Sequence, residues 1–499
     1  MKLQSATIKN VKAVGPQGIT LNLADDIVMA IGPNGVGKSS VLSGLRMFFE
    51  GTVPPRHEFH RYRTDKEHAA EITVTFHRLN EQDKAYNRVR EEVYTDEAGE
   101  DVWTLTLRFY IDEDGRETRE ALVGEEKRAL SEEEYQQMKT LFDSAHMQWI
   151  TVPAREAVCE GKQSPFSQLF DMFRTWNPER PNTEMAEDLN HQLYEMMGVP
   201  DVLSVKPLWE GTKDFTLLPE REEDLFLNPR YQSHGVQRAV FFALLREYGD
   251  VVPRSRAEPG VQNMLLIEDP EMYMDPQMER TISNTLFYLA EEAGVQVVST
   301  THSAVFVRAL EKPRSLIRLS RGEDEELQSF QVTEDVFAHE SEEEEKEHRL
   351  RAVREFSPEV SALFFARRVV LVEGATEIVV LQRAAQLLGR FDYGVSLINC
   401  HGRGNIPMFQ EVLNHFDTSY VVVHDLERQN PHEGLNQHIL NLLDGDESRR
   451  FYHDPHLDAE LGVYDSPKWL DGYEIVTQLK NEQRLESVLG DLVTFVFGE

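Results

Sequence analysis

Residues 26–42 read DIVMAIGPNGVGKSSVL. The apolar run Ile27-Val28-Met29-Ala30-Ile31 leads into Gly32-Pro33-Asn34-Gly35-Val36-Gly37-Lys38-Ser39-Ser40, and Val41, Leu42, Leu45, Met47, Phe48 and Phe49 follow at helical spacing. Strand, glycine loop and helix in that order form a phosphate loop, because glycines let successive backbone N–H groups close on phosphate oxygens at a helix N-terminus. Asn34, Gly35, Gly37 and Ser40 belong to that loop, Lys38 reaches the β and γ phosphates, and Ser39 brings a hydroxyl to Mg2+. An ATP site is the expectation.

Outward from the loop, two later strand ends complete such a site. Met264-Leu265-Leu266-Ile267 ends in Glu268-Asp269-Pro270-Glu271. There Glu268 would hold Mg2+ through water and Asp269 would polarise the attacking water, as in a Walker B element. One strand further on, Ser299-Thr300-Thr301-His302-Ser303 puts His302 where it would sense the γ phosphate.

These residues resemble the ABC-type ATPase heads of the SMC and repair-ATPase class. The resemblance implies a signature segment ahead of Walker B, found as Ser233-His234-Gly235-Val236-Gln237-Arg238. It also implies that two heads pair, with Ser233, Gly235 and Gln237 of one closing over ATP on the other. His234 departs from the small residue common at that place.

The 499 residues carry 52 Lys and Arg against 87 Asp and Glu, a net charge of −35. That length predicts two to four domains, and 40% hydrophobic with 28% charged residues is the balance of a folded, soluble chain. Cys159 and Cys400 stand far apart, so neither a zinc ribbon nor a disulfide framework is supported. The start lacks a signal pattern and apolar runs such as Ala239 to Leu245 are too short to span a membrane, so a cytoplasmic protein without membrane contact is expected. The acidity excludes a chain that coats nucleic acid by bulk charge. A DNA partner would have to meet a local basic surface or bound cations.

Residues 52–125 alternate as strands, 131–200 read mostly as helix, and after 263 short apolar strands alternate with helices, the pattern of a parallel α/β sheet. From Gly322 to about Glu347 the chain is strongly acidic, with Glu342 to Glu345 in succession, and reads as a solvated seam. Beyond it a second α/β series runs through strands Val369–Glu373, Val395–Ile398 and Tyr420–His424, with helices near 376–388 and 406–416 between them. The expected fold class is therefore α/β. A P-loop ATPase domain (1–335) with a large β-rich and helical insertion, the helical part about 130–230, precedes an acidic linker (336–360) and a smaller α/β domain (361–499).

In that second series Glu373 ends a strand and Glu377 follows four residues later, while Asp425-Leu426-Glu427 ends another, where alternation is expected to put both acids on the same side. Parallel strands collect ligands at their C-terminal ends, and four acids gathered there would repel one another unless a hard divalent cation bridged them. Spacing alone fits helix-cap and surface acids equally well. The segments Phe364 to Glu377, Asn399 to Ile406 and His424 to Glu427 look like the Toprim domain of the OLD (overcoming lysogenisation defect) nucleases, and the order ATPase then Toprim matches. The resemblance implies that Glu373, Glu377, Asp425 and Glu427 bind one or two catalytic Mg2+ or Mn2+ ions. A later acid, Glu460 with Asp458 as rival, and a lysine, Lys468 with Lys480 as rival, would complete the site.

By the same resemblance the activity is ATP-regulated DNA cleavage by a homodimer, its helical insertion serving dimerisation, with a plausible role in defence against phage beside a partner encoded nearby. Alternatives are an ATP-switched scaffold with a spent Toprim unit and, sharing the Toprim fold, a topoisomerase or primase. Arg155 reads as a surface turn residue. Residues Phe166 to Trp176 read as core. Arg56, Arg61 and Arg63, interleaved with His57, His60 and Tyr62, read as a solvated loop with a lesser claim to phosphate contact.

Overall fold

The computed structural model describes residues 2–79, 92–96, 98–143, 147–154, 158–159, 164–176, 182–197, 204–207, 215–218, 233–251, 262–308, 311–322, 325–332, 358–462 and 469–498. It divides into two compact units, Met1–Val307 with Arg314–Gln331, and Arg308–Pro313 with Val332–Glu499. Most of the acidic linker, with Glu342 to Glu345, lies outside the described residues.

In the first unit the phosphate-loop strand Ile27–Ile31 sits inside a six-stranded sheet, in the order Leu327–Gln331, Leu316–Arg321, Ile27–Ile31, Gln296–Thr300, Gln262–Glu268, Met147–Val152. All neighbours are parallel except the antiparallel edge strand Leu327–Gln331. Every residue of Ile27–Ile31 and Gln296–Thr300 is buried, which explains their continuous rather than alternating apolar character. The segment around Ile150, inside a region that reads mostly as helix from sequence, is the parallel edge strand Met147–Val152.

A second, antiparallel sheet runs Ile19–Asn22, Lys2–Lys9, Ala70–His77, Asp101–Ile111, Glu117–Val123, Arg128–Ala129. The β-rich region after residue 52 thus shares a sheet with the N-terminal strand, which pattern alone had not assigned. The helix Lys38–Glu50 lies in the core common to both sheets, its Val41, Leu45 and Phe48 in one cluster with Ile8, Phe76, Trp103 and Leu266. Buried Gln296 hydrogen-bonds across: its amide N–H donates to the carbonyls of Leu3 (2.9 Å) and Leu23 (2.7 Å), and its oxygen accepts from Leu3 N–H (3.0 Å).

Helices Pro165–Trp176, Asn182–Met197, His234–Val251 and Pro276–Glu291 complete this unit, with a backbone ladder Ser204–Pro207 to Phe215–Leu218 inside the helical insertion. Leu169, Phe170, Met172 and Phe173 are buried, so that stripe is core.

The second unit is built on four parallel strands ordered Val395–Asn399, Arg368–Val372, Tyr420–Asp425, Arg450–His453. The helix Ala375–Leu388 covers one face, packing Val380, Leu381 and Ala384 with Val370, Val372, Val421 and Val423. Helices Trp469–Asn481 and Leu485–Phe497 add Val476, Leu479, Leu489 and Val493 to the same core. No helix among the described residues is long and apolar enough to cross a membrane.

Candidate functional site

In the first unit, Ala30, Thr300 and Glu268 stand level across three adjacent parallel strands, so the loops that follow them open on one edge. Gly32 and Gly37 make the phosphate loop possible: their φ values are 143° and 122°, and a Cβ on Gly37 would lie 2.7 Å from the Ala13 Cβ. The loop borders a cavity of about 600 Å³ lined by Gly35, Gly37, Lys38, Ser39 and Ser40, with Glu268, Asp269, Thr300 and His302 opposite. Asn34 is exposed at the loop tip and is not among the lining residues.

The charged groups here shape one another. Lys38 Nζ donates to the carbonyls of Gly32 (2.7 Å) and Pro33 (3.1 Å), and burial lowers its ammonium to about 8 against the pull of Asp269 and Glu271. Asp269 has a left-handed φ of 43°, and Thr300 Oγ1 donates to its Oδ1 at 3.0 Å. His302 Nε2 lies 3.9 Å from Asp269 Oδ2, while burial and the Lys38 charge lower the imidazole, favouring its neutral form. A carboxylate held beside a neutral imidazole and facing a lysine can orient and deprotonate water next to a terminal phosphate.

Four further residues support this edge and were not assigned roles from sequence. Lys12 lines the cavity and pairs with Glu58 Oε2 at 3.1 Å. Thr300 fixes Asp269. Glu271 Oε1 accepts from the backbone N–H of His302 at 2.6 Å, and burial with the nearby Asp269 charge pushes its carboxyl up to about 7. Arg238 is buried and donates to the carbonyls of Pro153 (3.2 Å), Ala154 (3.1 Å) and Asp269 (3.1 Å). Its sequence signal was the Gln-Arg pair at the head of an apolar helix.

Ser233 and Gly235 sit at the N-terminus of the helix His234–Val251 and are not among the residues lining the cavity. Gln237 is buried and accepts weakly from Cys159 N–H at 3.4 Å. His234 stacks on Tyr273, ring centres 4.9 Å apart. Arg56 donates to Tyr62 O (3.2 Å), Arg61 is 3.7 Å from Glu326, and Arg63 is 2.8 Å from His68 Nε2, so each is engaged locally. Arg155 lies outside the described residues.

The second unit gathers its acids at the carboxyl ends of its strands. Glu373 Oε1 accepts from Asp425 N–H at 2.7 Å, and Asp425 Oδ1 accepts from Leu457 N–H at 3.1 Å. Burial first, then Asp425 and Glu377, raise Glu373 to about 7. Asp425 is likewise raised to about 6, chiefly by burial, with His453 opposing. Glu377 is raised by burial and by Asp458. These are half-buried, mutually repelling carboxylates rather than surface acids.

Glu427 differs. The strand stops at Asp425, so alternation does not set its direction; it has φ 51°, and its Oε2 accepts from Arg403 Nη2 at 3.1 Å. Arg403 also donates to the carbonyls of Asp425 and Leu426, both at 3.1 Å. Glu460 Oε2 is bonded to His453 Nδ1 at 2.8 Å, whereas its rival Asp458 acts electrostatically on Glu377. Lys480 donates to Leu387 O, at the far end of the helix that Glu377 begins, roughly 15 Å along the axis at 1.5 Å per residue. Lys468 lies outside the described residues.

The donor set of Glu373, Glu377 and Asp425 fits a hard divalent cation, whose charge would offset the repulsion that, after burial, raises their proton affinity. Among the described residues the three-group set with all ligand atoms within 4.8 Å of one another is Asp65, Glu67 and His68, on an exposed turn. Glu373, Glu377 and Asp425 do not form such a set.

A family profile described as "Overcoming lysogenization defect protein-like, TOPRIM domain" matches residues 364–426. Another, described as "AAA domain, putative AbiEii toxin, Type IV TA system", matches residues 29–309. A Thermus scotoductus protein named OLD nuclease is 26% identical over 330 residues, covering 60% of this chain and 58% of that protein. The Old nuclease of Escherichia phage P2 is 24% identical over 185 residues, 36% of this chain and 30% of its own. The chain thus spans little more than half the length of the first of these relatives and less of the second. An Smc head domain from Pyrococcus furiosus aligns over 71% of this chain and 99% of its own, at 10% identity and a TM-score of 0.45. With the phosphate loop and both later strand ends falling inside one match and Glu373, Glu377 and Asp425 inside the other, the chain belongs to the AAA-domain family, here joined to a Toprim domain of the overcoming-lysogenization-defect kind.

Proposed function

We propose that the protein is an ATP-regulated, divalent-metal-dependent DNA endonuclease, with ATP hydrolysed at the phosphate-loop cavity and phosphodiesters at the Toprim acids. The observation that carries this reading is the convergence of Glu373, Glu377 and Asp425, half-buried and mutually repelling, at the carboxyl ends of parallel strands. The names of the relatives and the Toprim match support it.

In the first unit Lys38, Ser39 and the loop amides bind and neutralise the phosphates, and Glu268 would hold Mg2+ with Ser39. Asp269, set by Thr300 and backed by His302, orients water for attack. In the second unit Glu373, Glu377 and Asp425 would hold Mg2+ or Mn2+, with Glu427 joining if it leaves Arg403. When bound, the cation supplies Lewis-acid activation of water and charge neutralisation at the scissile phosphate. It also gives an acidic chain a local means of meeting DNA.

We assign 1–335 to the ATPase, 336–360 to a linker and 361–499 to the nuclease, and place the protein in the cytoplasm. Two copies pair so that Ser233, Gly235 and Gln237 of one head approach ATP on the other, the helical insertion 130–230 contributing to that pairing. A role in defence against phage, with a partner encoded nearby, follows the family resemblance. The tie of Glu427 to Arg403 favours one second reading, a scaffold whose Toprim unit is spent.

Plasmid incubated with Mg2+ or Mn2+, with and without ATP, separates these readings. Wild type cuts; Asp425→Ala does not; Lys38→Ala loses ATP turnover and the ATP response of cutting. Cutting that survives Asp425→Ala, or none with either metal, overturns the nuclease reading.

A further inference from the structure

His453 lies in the strand Arg450–His453, directly in register with Asp425 on the neighbouring parallel strand. Residues in register on adjacent strands leave the sheet on the same face. The face is fixed by the residues two before them, since Val423 and Phe451 are also in register and Val423 packs with Val380 and Leu381 of the helix Ala375–Leu388. Glu377 is in the first turn of that helix. Asp425, His453 and Glu377 therefore lie at one end of one face, with their ligand atoms not all within 4.8 Å of one another.

The imidazole is fully buried and its two nitrogens differ. Nδ1 lies 2.8 Å from Glu460 Oε2. A carboxylate accepts, so Nδ1 carries the proton, and in the neutral imidazole, the form that binds a cation, Nε2 presents a lone pair. That Nε2 is buried without a hydrogen-bond partner among the described residues. Leaving a buried acceptor unsatisfied costs roughly 1–3 kcal/mol, so such an atom calls for a ligand. His424, next along the chain from Asp425, also has an orphaned Nε2 but points to the opposite face. His456 uses Nδ1 to accept Ala459 N–H as a helix cap.

We propose that His453 Nε2, oriented by Glu460, is a nitrogen ligand of the divalent cation held by Asp425 and Glu377. Carboxylate, histidine and metal in series is how proteins fix the tautomer of a metal-binding imidazole. Glu460 then acts one step removed from the cation, which explains why its carboxylate is turned to His453. One imidazole among oxygen donors shifts the preference from Mg2+ toward Mn2+. The proposal rests on the Toprim unit being a metal site.

The test uses the full chain without nucleotide and Mn2+ as the probe, read by calorimetric titration and by electron spin-echo modulation from 14N. Wild type shows modulation from a directly bound imidazole nitrogen. His453→Gln loses it and binds Mn2+ about tenfold to a hundredfold more weakly; Glu460→Gln keeps the modulation but also weakens binding, by about tenfold. His456→Gln changes neither. No nitrogen signal in the wild type, or a His453→Gln protein with unchanged signal and affinity, overturns the proposal. If Asp425→Asn abolishes Mn2+ binding while the wild type lacks the nitrogen signal, the metal site stands and the histidine ligand falls. If the wild type shows no Asp425-dependent Mn2+ binding, both fall. Should His453→Gln not fold, the wild-type spectrum and Glu460→Gln still decide.

Discussion

The guanidinium of Arg238 donates to the backbone carbonyl of Asp269 at 3.1 Å, joining the helix His234–Val251 to the residue proposed to orient water. Burial brings this guanidinium down to about 10 while the surrounding acids resist. Arg238→Ala leaves the carbonyls of Pro153, Ala154 and Asp269 without their donor. With buried polar groups costing roughly 1–3 kcal/mol each when orphaned, the variant is expected to lose about 3 kcal/mol of stability. Arg238→Lys, which lacks the planar fork, is expected to fold but to lose kcat for ATP with KM little changed. Urea unfolding and steady-state ATP turnover check both; wild-type kcat in Arg238→Lys would remove the coupling role.

Glu271 gives a pH signature of stability. Its folded carboxyl is raised to about 7 from an ordinary 4.5, so the native state binds the proton more tightly than the unfolded chain. The stabilisation is fully present below pH 4.5 and is lost as pH rises toward 7. Glu271→Gln is neutral throughout and still accepts from His302 N–H. Its Tm is expected to match wild type near pH 4.5 and exceed it above pH 7. Thermal melts at pH 4.5, 6 and 8 test this; a constant difference across that range refutes it.

Lys38→Ala and Asp269→Asn separate binding from turnover. Removal of the Lys38 ammonium is expected to weaken ATP binding and to lower turnover by about 10²-fold or more, the scale of a lost charge contact at a reacting phosphate. Asp269→Asn is expected to bind ATP normally and hydrolyse it about 10²-fold more slowly. Fluorescent-nucleotide titration beside phosphate release distinguishes the two.

The Toprim acids trade stability for chemistry. Burial and mutual repulsion disfavour the ionised forms of Glu373 and Asp425, so in metal-free protein at pH 8 Asp425→Asn is expected to melt higher than wild type. The same variant is expected to cut plasmid about 10³-fold more slowly. Saturating Mn2+ should raise the wild-type Tm and leave that of the variant unmoved.

Much of this was legible before any coordinates. The strands Ile27–Ile31, Arg368–Val372 and Tyr420–Asp425 declared themselves because buried parallel strands are continuously apolar, and Gly32 and Gly37 because their backbone angles exclude other residues. Met147–Val152 was hidden because an edge strand flanked by helices carries little pattern, and Arg450–His453 because four mixed residues have no period. Arg238 and His453 were hidden for another reason: Arg238 works through long-range hydrogen bonds to the carbonyls of Pro153 and Ala154, and His453 meets Asp425 through the pairing of two parallel strands, neither of which local spacing encodes. Glu427 shows the limit of alternation, which ends where the strand ends.

The strand Gln296–Thr300 lies between the phosphate-loop strand and the strand carrying Glu268, and all five of its residues are buried. It acts as a stiff spacer. Bonded along both edges and packed above and below, it cannot shear without breaking two ladders at once. At the plate's rim Arg238, from the helix His234–Val251, donates to the carbonyls of Ala154 and Asp269, just past the ends of two of its strands, so a displacement of that helix would be felt at both.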